Sequence, residues 1–188
     1  MSLNISYGIA KLSEDLEQIL NLQKENLPSQ ISIEEASNEG FVTLRHDLEL
    51  LKSMNSPYPH VIAKYDEQLV GYALVMLRRF SKELPILFPM FEKLEKLWYN
   101  NKKLKDQSYF VMGQVCIKKG FRGKGILKDM YSELKHRMKN DFDFMVTEIS
   151  TKNQRSIKAH SKLGFEEIHS FQSNNGEHWS IILLNLND

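Results

Sequence analysis

The apolar positions of the chain recur with periods that change from segment to segment, and those changes outline the elements. Ile5 to Ala10 reads as a first strand. Leu16, Ile19, Leu20 and Leu22 then recur at helical spacing behind Ser13-Glu14-Asp15, with Ser13 expected as the cap and acids in the first turn. Residues 28 to 43 show no clear period. Leu48, Leu51 and Met54 predict a helix over 44–54, stopping before Asn55-Ser56-Pro57. His60 to Lys64 and Leu69 to Met76 are apolar runs joined by Tyr65-Asp66-Glu67-Gln68, a β-hairpin pattern. Residues 84–100 carry Leu87, Phe88, Met90, Phe91, Leu94, Leu97 and Trp98 near helical spacing, as a core or lid segment would.

The second half is clearer. Tyr109 to Ile117 reads as a strand, and Leu127, Met130, Tyr131, Leu134 and Met138 share one helix face. A strand over 142–149, a helix over 154–163 and strands over 167–172 and 179–186 follow. The order β-α-α-β-β-(α)-β-α-β-α-β-β is mixed α/β. The strand–helix–strand unit between 109 and 149 predicts parallel neighbours joined by a right-handed crossover. With no repeat or linker, residues 1–188 are expected to form a single domain.

Bulk properties narrow the function classes. The 188 residues are 41% hydrophobic and 26% charged, ordinary for a soluble globular protein. A formal net charge of +1 argues for neither nucleic acid nor a membrane surface as partner. No apolar run approaches the roughly 20 residues of a spanning helix. Met1-Ser2-Leu3-Asn4 does not start a signal peptide. The single cysteine, Cys116, excludes an internal disulfide and fits a reducing compartment, so a cytoplasmic location is expected. The histidines show no metal-ligand spacing, and no metal is expected.

Chemistry concentrates in Lys119-Gly120-Phe121-Arg122-Gly123-Lys124-Gly125-Ile126-Leu127, a glycine-rich turn between strand and helix. Such a turn leaves backbone N–H groups without helical partners at the positive end of the helix dipole, a site suited to phosphate. A triphosphate loop needs Ser or Thr after the lysine, but Gly125 follows Lys124. A dinucleotide fingerprint needs a third glycine, but Lys128 stands there. The pattern left is R-x-x-G-x-G/A over Arg122 to Leu127, departing only at Leu127.

That segment resembles the pyrophosphate-binding motif of the GNAT superfamily of acyl-CoA-dependent N-acyltransferases. Downstream, Asn153 to Phe165 resembles the second motif of that family, N-x-x-A-x-x-x-Y-x-x-x-G-F. Asn153, Gly164 and Phe165 match it, Ser156 replaces alanine and His160 replaces tyrosine. With the two motifs in order and separated by a strand, the resemblance covers roughly residues 109–165.

The resemblance implies a central, mostly antiparallel twisted sheet with flanking helices, in which strands 109–117 and 142–149 are parallel and splay apart. It implies acetyl-CoA as acyl donor and direct transfer to an amine in a ternary complex. Arg122, Gly123, Lys124, Gly125, Ile126 and Leu127 would hold the pyrophosphate. Val115, Cys116 and Ile117 would offer backbone groups to the pantetheine and thioester, Cys116 serving by its backbone rather than as a nucleophile. Asn153 and Ser156 would complete the cofactor site, and Asn153 reads equally as a helix cap. His160, with an ordinary pKa of about 6.5, is the candidate acid for the leaving thiolate. Glu148 alternates with Phe142, Phe144 and Val146 on a partly buried face, where a carboxylate pKa rises, and is the candidate base. Gln114 could orient water or substrate. The acceptor, a small-molecule or peptide amine, is expected to be set by residues 25–60 and 84–100. A CoA-binding or sensing module without turnover is the rival function, and a homodimer is the assembly common in the family.

Overall fold

The computed structural model describes residues 4–32, 34 and 40–187. Of the unassigned stretch 28–43, residues 33 and 35–39 lie outside the described residues, as do residues 1–3 of the amino terminus. The chain divides into two compact units: Met1–Ala36, Phe41–Val75 and Met112–Arg137 form the first, and Ser37–Gly40, Met76–Val111 and Met138–Asp188 the second.

In the first unit, β1 (Ile5–Ile9) pairs antiparallel with β2 (Val61–Tyr65), which pairs antiparallel with β3 (Gln68–Met76). Asp66 and Glu67 both have positive φ, 47° and 62°, as a tight two-residue hairpin requires. The hairpin pattern is borne out. Helix α1 (Ser13–Glu25) buries Leu16, Ile19 and Leu22. Its cap is not Ser13, which is the first helical residue; Leu12 is the cap, in extended conformation. Leu12 has no capping side chain, so the Asp15 carboxylate reaches back to the N–H groups of Lys11 and Leu12, each at 2.9 Å. Helix α2 (Leu48–Met54) is shorter than the spacing over 44–54 predicts. Asp47 caps it, accepting from the Leu50 N–H at 2.8 Å.

The second unit holds the 3₁₀ turns at Arg78–Lys82, Pro85–Leu87 and Leu104–Asp106 and helix α3 (Phe88–Leu94). A small hairpin follows α3, β4 (Trp98–Tyr99) with β5 (Lys102–Lys103). The single helix expected over 84–100 is therefore broken, since Pro85 and Pro89 each remove a backbone donor and favour helix starts over helix interiors.

β6 (Tyr109–Ile117) contributes residues 109–111 to the second unit and 112–117 to the first. The hydrogen-bonded order is β1-β2-β3-β6 in the first unit. In the second it is β6 with β7 (Phe144–Ser150), then β9 (His178–Asn185) and β8 (Glu166–Gln172). β6 and β7 are parallel, as expected, and their register ends at Val111↔Val146 after three pairs. β7 continues to Ser150, paired antiparallel with β9. Helix α4 (Ile126–Met138) begins in the first unit and α5 (Gln154–Ser161) belongs to the second. The outcome is a mixed α/β fold with a mostly antiparallel sheet, one parallel pair and flanking helices. No helix among the described residues is long and apolar enough to cross a membrane.

Candidate active site

The first unit holds the glycine-rich turn. Gly120, Gly123 and Gly125 adopt φ of 85°, 77° and 85°, a conformation that residues with a side chain rarely take. A Cβ at any of the three would meet nothing within 4 Å, so the turn is open on its outer side. The Gly125 carbonyl accepts the Asp129 N–H at 3.2 Å, starting the ladder of α4. The N–H groups of residues 126–128 precede the first intrahelical donor and face outward at the positive end of the helix. Ile126 is buried and anchors the helix start, while Leu127 is half-buried.

Arg122 braces this turn. Its Nε donates to the Ile117 carbonyl at 2.9 Å, and Nη2 donates to Oδ1 of Asn26. The end of β6, the turn and α1 are thereby tied by one guanidinium. The Lys124 ammonium stands over the Phe121 ring, 5.4 Å from its centroid. Val115 and Ile117 are half-buried, whereas Cys116 is buried and burial pushes its thiol up to about 12. A thiol so rarely ionised is no nucleophile at neutral pH.

Beneath β6 lies a polar network that the sequence pattern does not reveal. Gln114 Oε1 accepts from Gln23 Nε2 at 2.7 Å and from the Tyr72 hydroxyl at 2.6 Å, while its Nε2 donates to the Leu44 carbonyl at 2.8 Å. Gln23 also donates to His46 Nδ1 at 2.8 Å and accepts the His46 N–H at 2.7 Å. The Gln114 oxygen and one of its amide hydrogens are therefore committed internally, which weighs against its orienting water or substrate and ties down the strand that carries residues 115–117. No local signal announces this network, because Gln23 and Gln114 are 91 positions apart.

The second unit holds the other candidates. Glu148 lies on β7, and its Oε2 is buried without a hydrogen-bond partner among the described residues. Burial raises its carboxyl to about 8. Asn153 caps α5, its Oδ1 accepting the Ser156 N–H at 3.1 Å. Gly164, just past the end of α5, has φ 92°, as a glycine that stops a helix often does. Phe165 packs back edge-on against His160, 5.1 Å between centroids.

His160 is 2% exposed and its Nδ1 stands 2.8 Å from the Ser156 carbonyl. A carbonyl only accepts, so Nδ1 carries the proton and donates, leaving Nε2 with a lone pair. Burial lowers the imidazole to about 4, so the imidazolium is scarce at neutral pH. These features weigh toward a packed helix histidine over the proton donor expected there. Among the described residues no group of three or more His, Cys, Asp or Glu could hold a metal ion.

Comparison with known proteins agrees with this arrangement. The model of the acetyltransferase (GNAT) family matches residues 16–165. No curated protein matches the chain. Arabidopsis thaliana NAA60 in complex with acetyl-CoA superposes with a TM-score of 0.67 at 13% identity, covering 97% of this chain and 99% of that one. The putative acetyltransferase yncA from Salmonella typhimurium, with its cofactor acetyl-CoA, gives 0.65 at 17% identity over 98% and 95%. Arabidopsis thaliana Naa50 in complex with the bisubstrate analogue CoA-Ac-MVNAL gives 0.64 at 14% identity over 96% and 98%. At these identities the structural likeness speaks for the fold, and the family model, spanning well over half of the chain, carries the conclusion: the chain belongs to the GNAT acetyltransferase family.

Proposed function

We propose that the protein transfers an acetyl group from acetyl-CoA to a primary amine, directly and with both substrates bound together. The observation that carries the mechanistic part is Glu148, a buried carboxyl with an unpartnered Oε2 and a pKa of about 8. Residues 122–127 bind the donor's pyrophosphate through backbone N–H groups, and the backbone of Val115, Cys116 and Ile117 with the side chains of Asn153 and Ser156 holds the pantetheine. The amine nitrogen attacks the thioester carbon, the C–N bond forms and the C–S bond breaks. The proton shed by the nitrogen passes to the Glu148 carboxylate, and CoA leaves as a thiolate that takes its proton from water. A buried Cys116 supports this direct route over an acyl-cysteine intermediate.

The acceptor is a small-molecule or peptide amine. The peptide-based bisubstrate analogue bound to a structural relative makes peptide amino termini the first acceptors to test. On this proposal the protein is cytoplasmic, a homodimer as in many family members, and acts without metal, membrane or nucleic acid. One observation favours the rival, a CoA-binding module without turnover: His160 stands where the family places its acid, and it is buried and hydrogen-bonded as a neutral ring. Free-thiol release from acetyl-CoA against a panel of amines separates the two. Release that requires an amine supports transfer, and binding of acetyl-CoA without release from any amine supports the rival.

A further inference from the structure

Gly40 is buried, has φ +79°, and lies against the side chain of Asn153. A Cβ at position 40 would sit 2.9 Å from Oδ1, 3.2 Å from Nδ2 and 3.4 Å from Cγ of Asn153, the tightest clash at any described glycine. The amide cannot simply turn aside, because its Oδ1 already accepts the Ser156 N–H at the start of α5. The cap fixes one end of the amide, and the Gly40 backbone blocks its rotation on one face. We infer that Gly40 is a positioning residue: it holds the Asn153 amide in one rotamer and so presents Nδ2 as a preset donor to the pantetheine arm. The last step rests on the acetyltransferase reading above; the hold on the amide does not.

Two effects of substitution must be separated, the added Cβ and the strain of a positive φ. Asparagine tolerates positive φ better than alanine does, and both carry a Cβ. The experiment measures the acetyl-CoA dissociation constant by calorimetry for wild type, Gly40→Ala, Gly40→Asn, Asn153→Ala and the Gly40→Ala/Asn153→Ala double variant. Both Gly40 variants should bind roughly five- to tenfold more weakly, the scale of a lost helix cap. Gly40→Ala should cost clearly less once Asn153 is alanine, because the atoms it strikes are gone and only the strain of the positive φ remains. An equal loss in the Asn153→Ala background, or wild-type affinity in Gly40→Asn, overturns the inference. If wild type itself fails to bind acetyl-CoA at high micromolar concentration, the acetyltransferase reading fails instead. The hold on the amide is then judged by the Ser156 backbone amide resonance: displacement in Gly40→Asn supports it, and an unmoved resonance overturns it.

Discussion

The end of β7 and the last turn of α5 each bury one titratable side chain in the second unit, and their transitions end on opposite sides of neutrality. Glu148 keeps an oxygen without a partner, and burial lifts its carboxyl to about 8, so near neutrality both protonation states are within reach. His160 donates to a carbonyl one turn earlier and packs edge-on against Phe165, and burial drives it down to about 4. Desolvation acts on both, favouring the neutral form in each case. For the acid this brings the transition toward working pH; for the base it moves the transition away. Burial alone therefore does not mark a proton-transfer residue. Its sign, and whether the bonding capacity is already used, decide.

The sharpest way to break this contrast is Glu148→Gln. Loss of a general base should lower kcat by roughly two to four orders of magnitude, with acetyl-CoA affinity kept within about twofold. Retained turnover in steady-state kinetics would remove Glu148 from the mechanism. Next in size is the donor site: Gly125→Val places a β-branched side chain at φ 85° and should weaken acetyl-CoA binding at least about tenfold, measured by calorimetry. An unchanged dissociation constant would mean that the turn does not hold the pyrophosphate.

The pH profile follows from the raised carboxyl. Only the carboxylate accepts a proton, so kcat/KM should climb about tenfold per pH unit below pH 8 and level above it. Stability should run the other way. A carboxyl raised on folding stabilises most below its unfolded pKa of 4.5, and that contribution disappears as pH rises through about 8. The thermal midpoint of Glu148→Gln should accordingly gain on wild type between pH 5 and pH 9. A gap that stays constant would refute the shift.

The smallest expected change concerns His160. His160→Phe should keep kcat within about threefold while losing on the order of 1 kcal/mol of stability, the worth of one hydrogen bond. A fall as large as that of Glu148→Gln would restore His160 as the acid. His46, His60 and His160 all have depressed pKa values, about 4, 3 and 4. Their neutral forms stabilise the fold above the ordinary imidazole value of 6.5, and this is lost as pH falls toward 4. Thermal midpoints should therefore drop across that window.

Where local backbone preference and hydrophobic period agree, the fold is readable from the chain. Residues 109–117 and 126–138 form the strand and helix their pattern predicts, and Gly123 and Gly125 take the positive φ that a close turn requires. The segment 84–100 misleads because its apolar spacing is helical while Pro85 and Pro89 divide it. Asn100-Asn101, both at positive φ, is a turn signal for the β4–β5 hairpin that the apolar pattern hides. Residues 44–47 show the opposite failure: the His46 backbone is held by Gln23, a tertiary contact without a local signature. In the candidate site, the turn and the Asn153 cap are legible as motifs. Neither the committed bonds of Gln114 nor the approach of Gly40 to Asn153 could be read, because each depends on partners distant in sequence.

The most direct test incubates the protein with acetyl-CoA and a panel of peptide and small-molecule amines, and follows acetylated product by mass spectrometry alongside free CoA. Direct transfer with Glu148 as base predicts an N-acetylated amine formed in step with CoA, and its loss in Glu148→Gln. Acetyl-CoA bound without product from any amine, or product formed equally well by Glu148→Gln, would contradict it.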